Sequence, residues 1–269
     1  MPYVGLSNAT LYYQERGQGV PLLLLHAGWG LAINGFAYQE STLADEFHMI
    51  VPDRRGYGRS TRVEWLGADF HWQAAEDMFA LLDALKVHET FVWGHSDGAV
   101  IGAIMAITQP ARVRGLIFEG GHLYNRKPLS LPVFEQLYRD PALLPEPAQQ
   151  KLAAYHGTDD WPQVIRNWAG AWLELAEREG DLYRGRLGEL VCPTLVMLGG
   201  QDEHTPVGEM EELTRRIPHA RRSVYPKAGH CVHDGRSTRT ACTQAGRDYM
   251  RAIGTGHITA ASSAALPSR

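Results

Sequence analysis

Thr90-Phe91-Val92-Trp93-Gly94-His95-Ser96-Asp97-Gly98-Ala99 decides the fold. Its first four residues are β-branched or aromatic, the composition of a buried strand. From Ala99 to Ile107 the chain is apolar on every side, as in a helix packed deep against a sheet. Between the two, Gly94-His95-Ser96-Asp97-Gly98 fits Gly-x-Ser-x-Gly. A sharp strand-to-helix turn of this kind exposes its serine and strains the serine's backbone. The glycines are needed where neighbouring backbone comes too close for a Cβ. The same pattern also fits a glycine-rich connection with a capping serine, so the surrounding chain must carry the reading.

Outward from this turn, the chain alternates. Short apolar runs at Leu22–Leu25, His48–Val51, Leu116–Phe118, Thr194–Leu198 and Ser223–Tyr225 each end in turn residues. They lack polar alternation, as expected of strands buried on both faces. Helical patterns lie between them. Phe70, Ala74, Ala75, Met78, Leu81, Leu82 and Leu85 share one face of a 3.6-residue period, and so do Pro206, Val207, Met210, Leu213 and Ile217. Strand and helix in alternation predict an α/β fold, with a mostly parallel central sheet and helices on both faces. Tyr3 to Glu15, turning at Ser7-Asn8, is expected as an antiparallel hairpin on its edge.

Residues 122–186 break the rhythm. They hold helical patterns at Val133–Tyr138, Pro147–Tyr155 and Trp161–Glu177, together with Tyr124, Tyr138, Tyr155, Trp161, Trp168, Trp172 and Tyr183. They are expected to form a helical cap on a core made of 1–121 and 187–253, although ordinary scaffold helices fit the same pattern. Residues 254–269 are small and polar without periodicity, which predicts a disordered tail.

Size and composition suit one large domain. The chain has 269 residues, 44% of them hydrophobic and 21% charged. A net charge of −4 with no run of Lys or Arg argues against a nucleic-acid partner. The N-terminus has no basic start and no apolar stretch, and no apolar run is long enough to span a bilayer, so a cytoplasmic protein with no membrane partner is expected. Cys192, Cys231 and Cys242 lack metal-ligand spacing, which predicts reduced thiols and no metal. Composition leaves the oligomeric state open.

A serine hydroxyl is a poor nucleophile until a base takes its proton and donors receive the oxyanion. With 12 histidines in the chain, position decides. His230 follows a short strand and the turn Pro226-Lys227-Ala228-Gly229, at the end of an open sheet where ligand-binding residues gather. His233 is its nearest rival. Asp202 follows another strand and the turn Gly199-Gly200-Gln201, with Glu203 as the alternative acid. The candidate catalytic residues are therefore Ser96, Asp202 and His230. Their chain order, Ser then Asp then His, separates this arrangement from other folds that use the same three groups. The backbone N–H of Asp97 is the first candidate oxyanion donor. The second comes from His26-Ala27-Gly28-Trp29-Gly30, as the N–H of Gly28 or Trp29, with His26 bracing the loop. Asp53-Arg54-Arg55-Gly56-Tyr57-Gly58 reads as structural, Asp53 accepting loop N–H groups. Trp29, Tyr124 and Trp168 are the candidate aromatic contacts for a small-molecule substrate.

These four elements in order, over about residues 3–253, resemble the α/β-hydrolase superfamily. Within it, Ser96-Asp97-Gly98, Tyr155-His156-Gly157 and Leu190–Val196 are most similar to the valacyclovir hydrolase (biphenyl hydrolase-like) branch. The resemblance implies hydrolysis of a small carboxylic ester through an acyl-enzyme, without cofactor. It also implies that Asp97 meets the α-ammonium of an amino-acid ester, whereas physics alone has Asp97 favouring the positive end of a helix equally well. Ala27 stands where the superfamily usually has glycine, which leaves the second donor open. The same residues also suit hydrolysis of a C–C bond or thioester. A third possibility is a ligand-binding or receptor protein on the same fold. Serine at position 96 disfavours the epoxide and haloalkane chemistry that uses a carboxylate nucleophile.

Overall fold

The computed structural model describes residues 2–205 and 207–259, without the side chain of residue 207. Eight strands form one sheet: β1 (Tyr3–Gly5), β2 (Thr10–Arg16), β3 (Val20–Leu25), β4 (Phe47–Pro52), β5 (Thr90–His95), β6 (Val113–Glu119), β7 (Thr194–Gly199) and β8 (Arg221–Tyr225). They lie in the order β1-β2-β4-β3-β5-β6-β7-β8. β1 and β2 form the expected antiparallel edge, with Tyr3 opposite Tyr12, and β2 runs antiparallel to β4. From β4 to β8 every pairing is parallel. This is the α/β-hydrolase fold.

The unbroken apolar runs have a direct cause. Along β3, Leu23 and Leu25 join a core cluster with α2 (Phe70–Ala84) and α3 (Asp97–Thr108). Leu22 and Leu24 point the other way, into a cluster with Phe36, Leu43 and α8 (Arg239–Gly254). Successive side chains of a strand face opposite sides, so a sheet covered on both faces leaves no place for a polar residue in its middle. α7 (Val207–Arg216) adds Met210 and Leu213 to the first cluster.

Two helices lie outside the sequence expectations. α1 (Ala37–Thr42) is six residues long, too short to set a period. α8 is long but polar, and its buried stripe includes Cys242, Thr243, Gly246, Tyr249 and Met250. Gly246 is required because a Cβ there would lie 2.7 Å from the Trp93 ring. Of the residues expected in the tail, Gly254 ends α8 and Ile258 is buried in the second cluster. Residues 260–269 lie outside the described residues, as does Pro206. No helix of the described chain is long and apolar enough to cross a membrane.

Between β6 and β7 come α4 (Leu131–Arg139), α5 (Glu146–His156) and α6 (Trp161–Ala176). Leu137, Leu152, Trp161 and Ile165 form a small core of their own here. Gly170 lets α6 approach Trp65, whose ring would lie 2.4 Å from an added Cβ.

Candidate active site

The turn after β5 is strained as its sequence demands. Ser96 sits at φ 55°, ψ −119°, outside the regions a non-glycine residue adopts freely. A Cβ on Gly94 would stand 2.1 Å from the Gly98 carbonyl oxygen, and one on Gly98 would stand 2.1 Å from that of Leu25. The strand, the turn and the helix thus pack backbone against backbone. Asp97 opens α3, so its N–H lies in the first turn, where no helical carbonyl can reach it.

Parallel strands bring the remaining groups to the same edge. Gly199 ends β7, and a Cβ there would lie 1.9 Å from the Gly229 carbonyl oxygen. The two loops are stitched by Gly200 N–H to Tyr225 and Gln201 N–H to Ala228, each 2.9 Å. This sets His230 Nδ1–H against Asp202 Oδ2 at 2.9 Å. Asp202 Oδ1 accepts the N–H of His204 at 2.8 Å and of Thr205 at 3.3 Å. Burial opposes ionisation of Asp202, but the hydrogen bond and charge of His230 hold its carboxyl below the ordinary value. Glu203 is exposed.

Ser96, His230, Asp97, Gly28, Trp29 and Trp168 border one cavity of about 200 Å³. Trp29 and Trp168 meet edge to face at 5.8 Å. Tyr124, expected on this wall, is not on it. Its backbone bridges to Asp181, and its side chain is partly exposed.

His122 went unrecognised in the sequence. In this rotamer Ser96 Oγ lies 3.3 Å from His122 Nε2, and no hydrogen bond joins it to His230. The rings of His122 and His230 stack almost parallel, 5.5 Å apart. Burial and the nearby charge of Lys127 keep His122 neutral, well below the ordinary histidine range. Its signal was its place three residues past the end of β6, on the same sheet edge as Ser96.

Asp97 has protein donors on both carboxylate oxygens. Its carboxylate is buried, with Oδ1 3.0 Å from His71 Nε2 and Oδ2 2.9 Å from Trp168 Nε1. Burial opposes its charge, yet His71 and Arg54 hold it below the ordinary value. Each oxygen accepts one protein donor and keeps a further lone pair. Burial holds His71 neutral.

The loop after β3 is braced by His26. Its Nδ1–H reaches the Ala27 carbonyl at 2.7 Å, and its Nε2 accepts the N–H of Arg54 at 3.1 Å. A Cβ on Gly28 would lie 2.1 Å from Trp168 Nε1. His156 links the cap to this loop, accepting Gly58 N–H at 3.0 Å and donating to the Trp29 carbonyl at 3.1 Å. Asp53 accepts the N–H of Arg59 at 2.7 Å and the hydroxyl of Tyr155.

The rival histidine has another task. His233 is fully buried, donating through Nδ1 to Glu119 at 2.8 Å and through Nε2 to the Asn34 carbonyl at 3.1 Å. Both ring nitrogens donate, so it is an imidazolium. Among the described residues, His95, Glu119, Cys231 and His233 bring ligand atoms within 4.8 Å of one another. Glu119 already accepts from Val232 N, His233 N, His233 Nδ1 and Trp93 Nε1 at 2.8–2.9 Å. A metal would have to strip these donors, so the cluster fits an ion-pair network rather than a metal site.

The alpha/beta hydrolase fold family matches residues 20–144 and 123–237. The chain belongs to the α/β-hydrolase superfamily. The chain is 28% identical to the serine hydrolase BPHL of Mus musculus over 86% of its own length and 80% of that protein, which bears out the biphenyl hydrolase-like resemblance. It is 30% identical to a putative carbamate hydrolase, RutD, of Azorhizobium caulinodans, over 82% of this chain and 88% of the other. In three dimensions it resembles an esterase of Exiguobacterium antarcticum, with a TM-score of 0.77 at 22% identity over 93% and 98% of the two chains. The sequence relatives support a hydrolase function; the esterase, at this identity, speaks to the fold.

Proposed function

We propose that this α/β-hydrolase is a serine esterase acting on a small carboxylic ester, with Ser96 as nucleophile, His230 as base and Asp202 orienting the imidazole. The observation that carries the reading is the 2.9 Å contact of His230 Nδ1 with Asp202, beside a serine held in a strained turn. Nδ1–H donation leaves Nε2 free to accept a proton. A rotation about χ1 of Ser96 is needed to turn Oγ from His122 towards His230.

Oγ then attacks the ester carbonyl while its proton passes to His230. The oxyanion is received by the N–H of Asp97 and by that of Gly28 or Trp29. The carbonyl re-forms, the C–O bond breaks, and the alcohol leaves with the proton from His230. Water, deprotonated by His230, attacks the acyl-enzyme, and its proton returns to Ser96 Oγ as the acid departs. Residues 122–186 act as the cap over the cavity. Backbone strain retained at Ser96 supports catalysis over a silent binding role. The hydrogen bond from Trp168 supports a structural task for Asp97, holding the indole in the wall.

Fluorophosphonate labelling tests the reading. The wild-type protein is expected to label and Ser96→Ala not to. Folded wild type that resists labelling overturns the hydrolase reading.

A further inference from the structure

We propose that the cavity selects esters that also carry a carboxylate, which the ammonium of Lys127 receives. The proposal rests on the esterase reading above and names its substrate class.

Most of the wall is apolar, with Trp29, Ile33, Val133, Phe134, Trp168 and Trp172 on it. The ionised groups on such a wall decide which charge it accepts, because an unpaired charge in a dry site is costly. Asp97 is held by His71 and Trp168, one donor on each oxygen. Asp202 faces His230 and two backbone N–H groups. Lys127 differs. It borders the cavity, its side chain is only 4% exposed, and its Nζ lies 2.5 Å from Glu209 Oε2. An ammonium has three N–H groups, and this contact uses one.

Glu209 does not belong to Lys127 alone. Its Oε1 accepts the N–H of Leu123 at 2.7 Å and of Tyr124 at 3.4 Å. Glu209 is thus hydrogen-bonded on both oxygens, and Lys127 keeps two N–H groups for a second acceptor. Ser130 borders the same cavity, its Oγ 3.4 Å from His204 Nδ1, and adds a hydroxyl. His122 lies between the two ends, with Nε2 towards Ser96 and Nδ1 3.2 Å from Thr205 Oγ. An ester carbonyl at Ser96 and a carboxylate at Lys127 thus describe one short molecule, such as the half-ester of a dicarboxylic acid. A substrate ammonium would meet Lys127 as a like charge.

Two measurements test this. The first compares kcat/KM for methyl half-esters from malonate to adipate with neutral methyl esters of equal length. It uses wild type and Lys127→Met/Glu209→Gln, a pair that removes both buried charges together. Wild type is expected to prefer at least one half-ester tenfold or more, as a hydrogen-bonded charge contact allows. The double variant is expected to lose that preference at least tenfold. The second titrates the same esters into Ser96→Ala protein by calorimetry, where the best half-ester should bind at least tenfold more tightly than its neutral partner. Equal wild-type rates across the series, or a preference that survives in the double variant, overturn the anion site and leave the esterase reading intact. If wild type cleaves neither class while Ser96→Ala still favours the half-ester, the esterase reading has failed and the anion site stands. Should the double variant not fold, the Ser96→Ala comparison decides, and equal affinities overturn the proposal.

Discussion

Glu119→Gln removes one charge and leaves the shape of the side chain. Glu119 ends β6, fully buried, and accepts four N–H groups. Two of these are the backbone N–H groups of Val232 and His233, two and three residues after His230 in the chain. The carboxylate is therefore the pin of the loop that carries the proposed base. Burial opposes its ionisation, yet the charge and hydrogen bond of His233 bring its carboxyl from 4.5 down to about 2. Each tenfold in proton affinity is about 1.4 kcal/mol, so the native fold favours the charged form by on the order of 3 kcal/mol. Removing one partner of a buried pair costs about 3–5 kcal/mol, which agrees. For a domain of this size, 3 kcal/mol is about 6–12 °C in Tm.

The pH dependence sharpens the test. Glu119 is depressed, so its contribution is full above 4.5 and is lost as pH falls towards about 2. His233 is raised well above 6.5 by Glu119, against the effect of burial. Its contribution is full below 6.5 and is lost only as pH rises through that higher folded value. The gap in Tm between wild type and Glu119→Gln should therefore be widest from about pH 4.5 to 6.5 and should narrow on acidification. Circular dichroism melts over a pH series measure it, and kcat on a short ester should fall as the His230 loop loosens. A Tm within 2 °C of wild type at pH 6, with unchanged kcat, would refute both the energetic reasoning and the role of Glu119 as pin.

Two further outcomes are expected. His230→Ala should lower kcat at least about a thousandfold, and His122→Ala less than about tenfold; steady-state kinetics that reverse this order make His122 the base. Gly28→Ala places a Cβ 2.1 Å from Trp168 Nε1, so the indole must shift and release Asp97. The expected fall in kcat/KM is about tenfold or more, read with the same ester, and a variant with wild-type kinetics removes Trp168 from the wall.

The parts legible in the sequence share one property: they answer to local rules. β3 to β7 announce themselves as short apolar runs because both faces of each strand are covered, and Ser96 does so because close backbone approach demands Gly94 and Gly98; β8, at the sheet edge, instead alternates half-buried and exposed residues, with Val224 exposed. Asp202 and His230 were legible through position, each just past a strand end. What stayed hidden depends on contacts distant in sequence. α8 is polar outside one stripe, and its Gly246 makes sense only against Trp93, more than 150 residues earlier. His122 sits in Glu-Gly-Gly-His, which carries no periodic signal. Tyr124 was grouped with the cavity aromatics by composition, whereas a single backbone bridge to Asp181 takes it elsewhere.

Asp97 shows why a residue's type does not fix its role. Beside an oxyanion hole, a free carboxylate would oppose the developing negative charge. Pairing it with a substrate cation would resolve that conflict only while substrate is bound. This chain resolves it permanently, with an indole and an imidazole donor on the carboxylate and the charge of Arg54 nearby. Lys127 puts a further cationic group on the cavity wall. A substrate cation at the Lys127 end meets a like charge. The affinity order of half-ester, neutral ester and amino-acid ester for Ser96→Ala protein should therefore run from tightest to weakest in that sequence, and tightest binding of the amino-acid ester would contradict the electrostatic argument at its root.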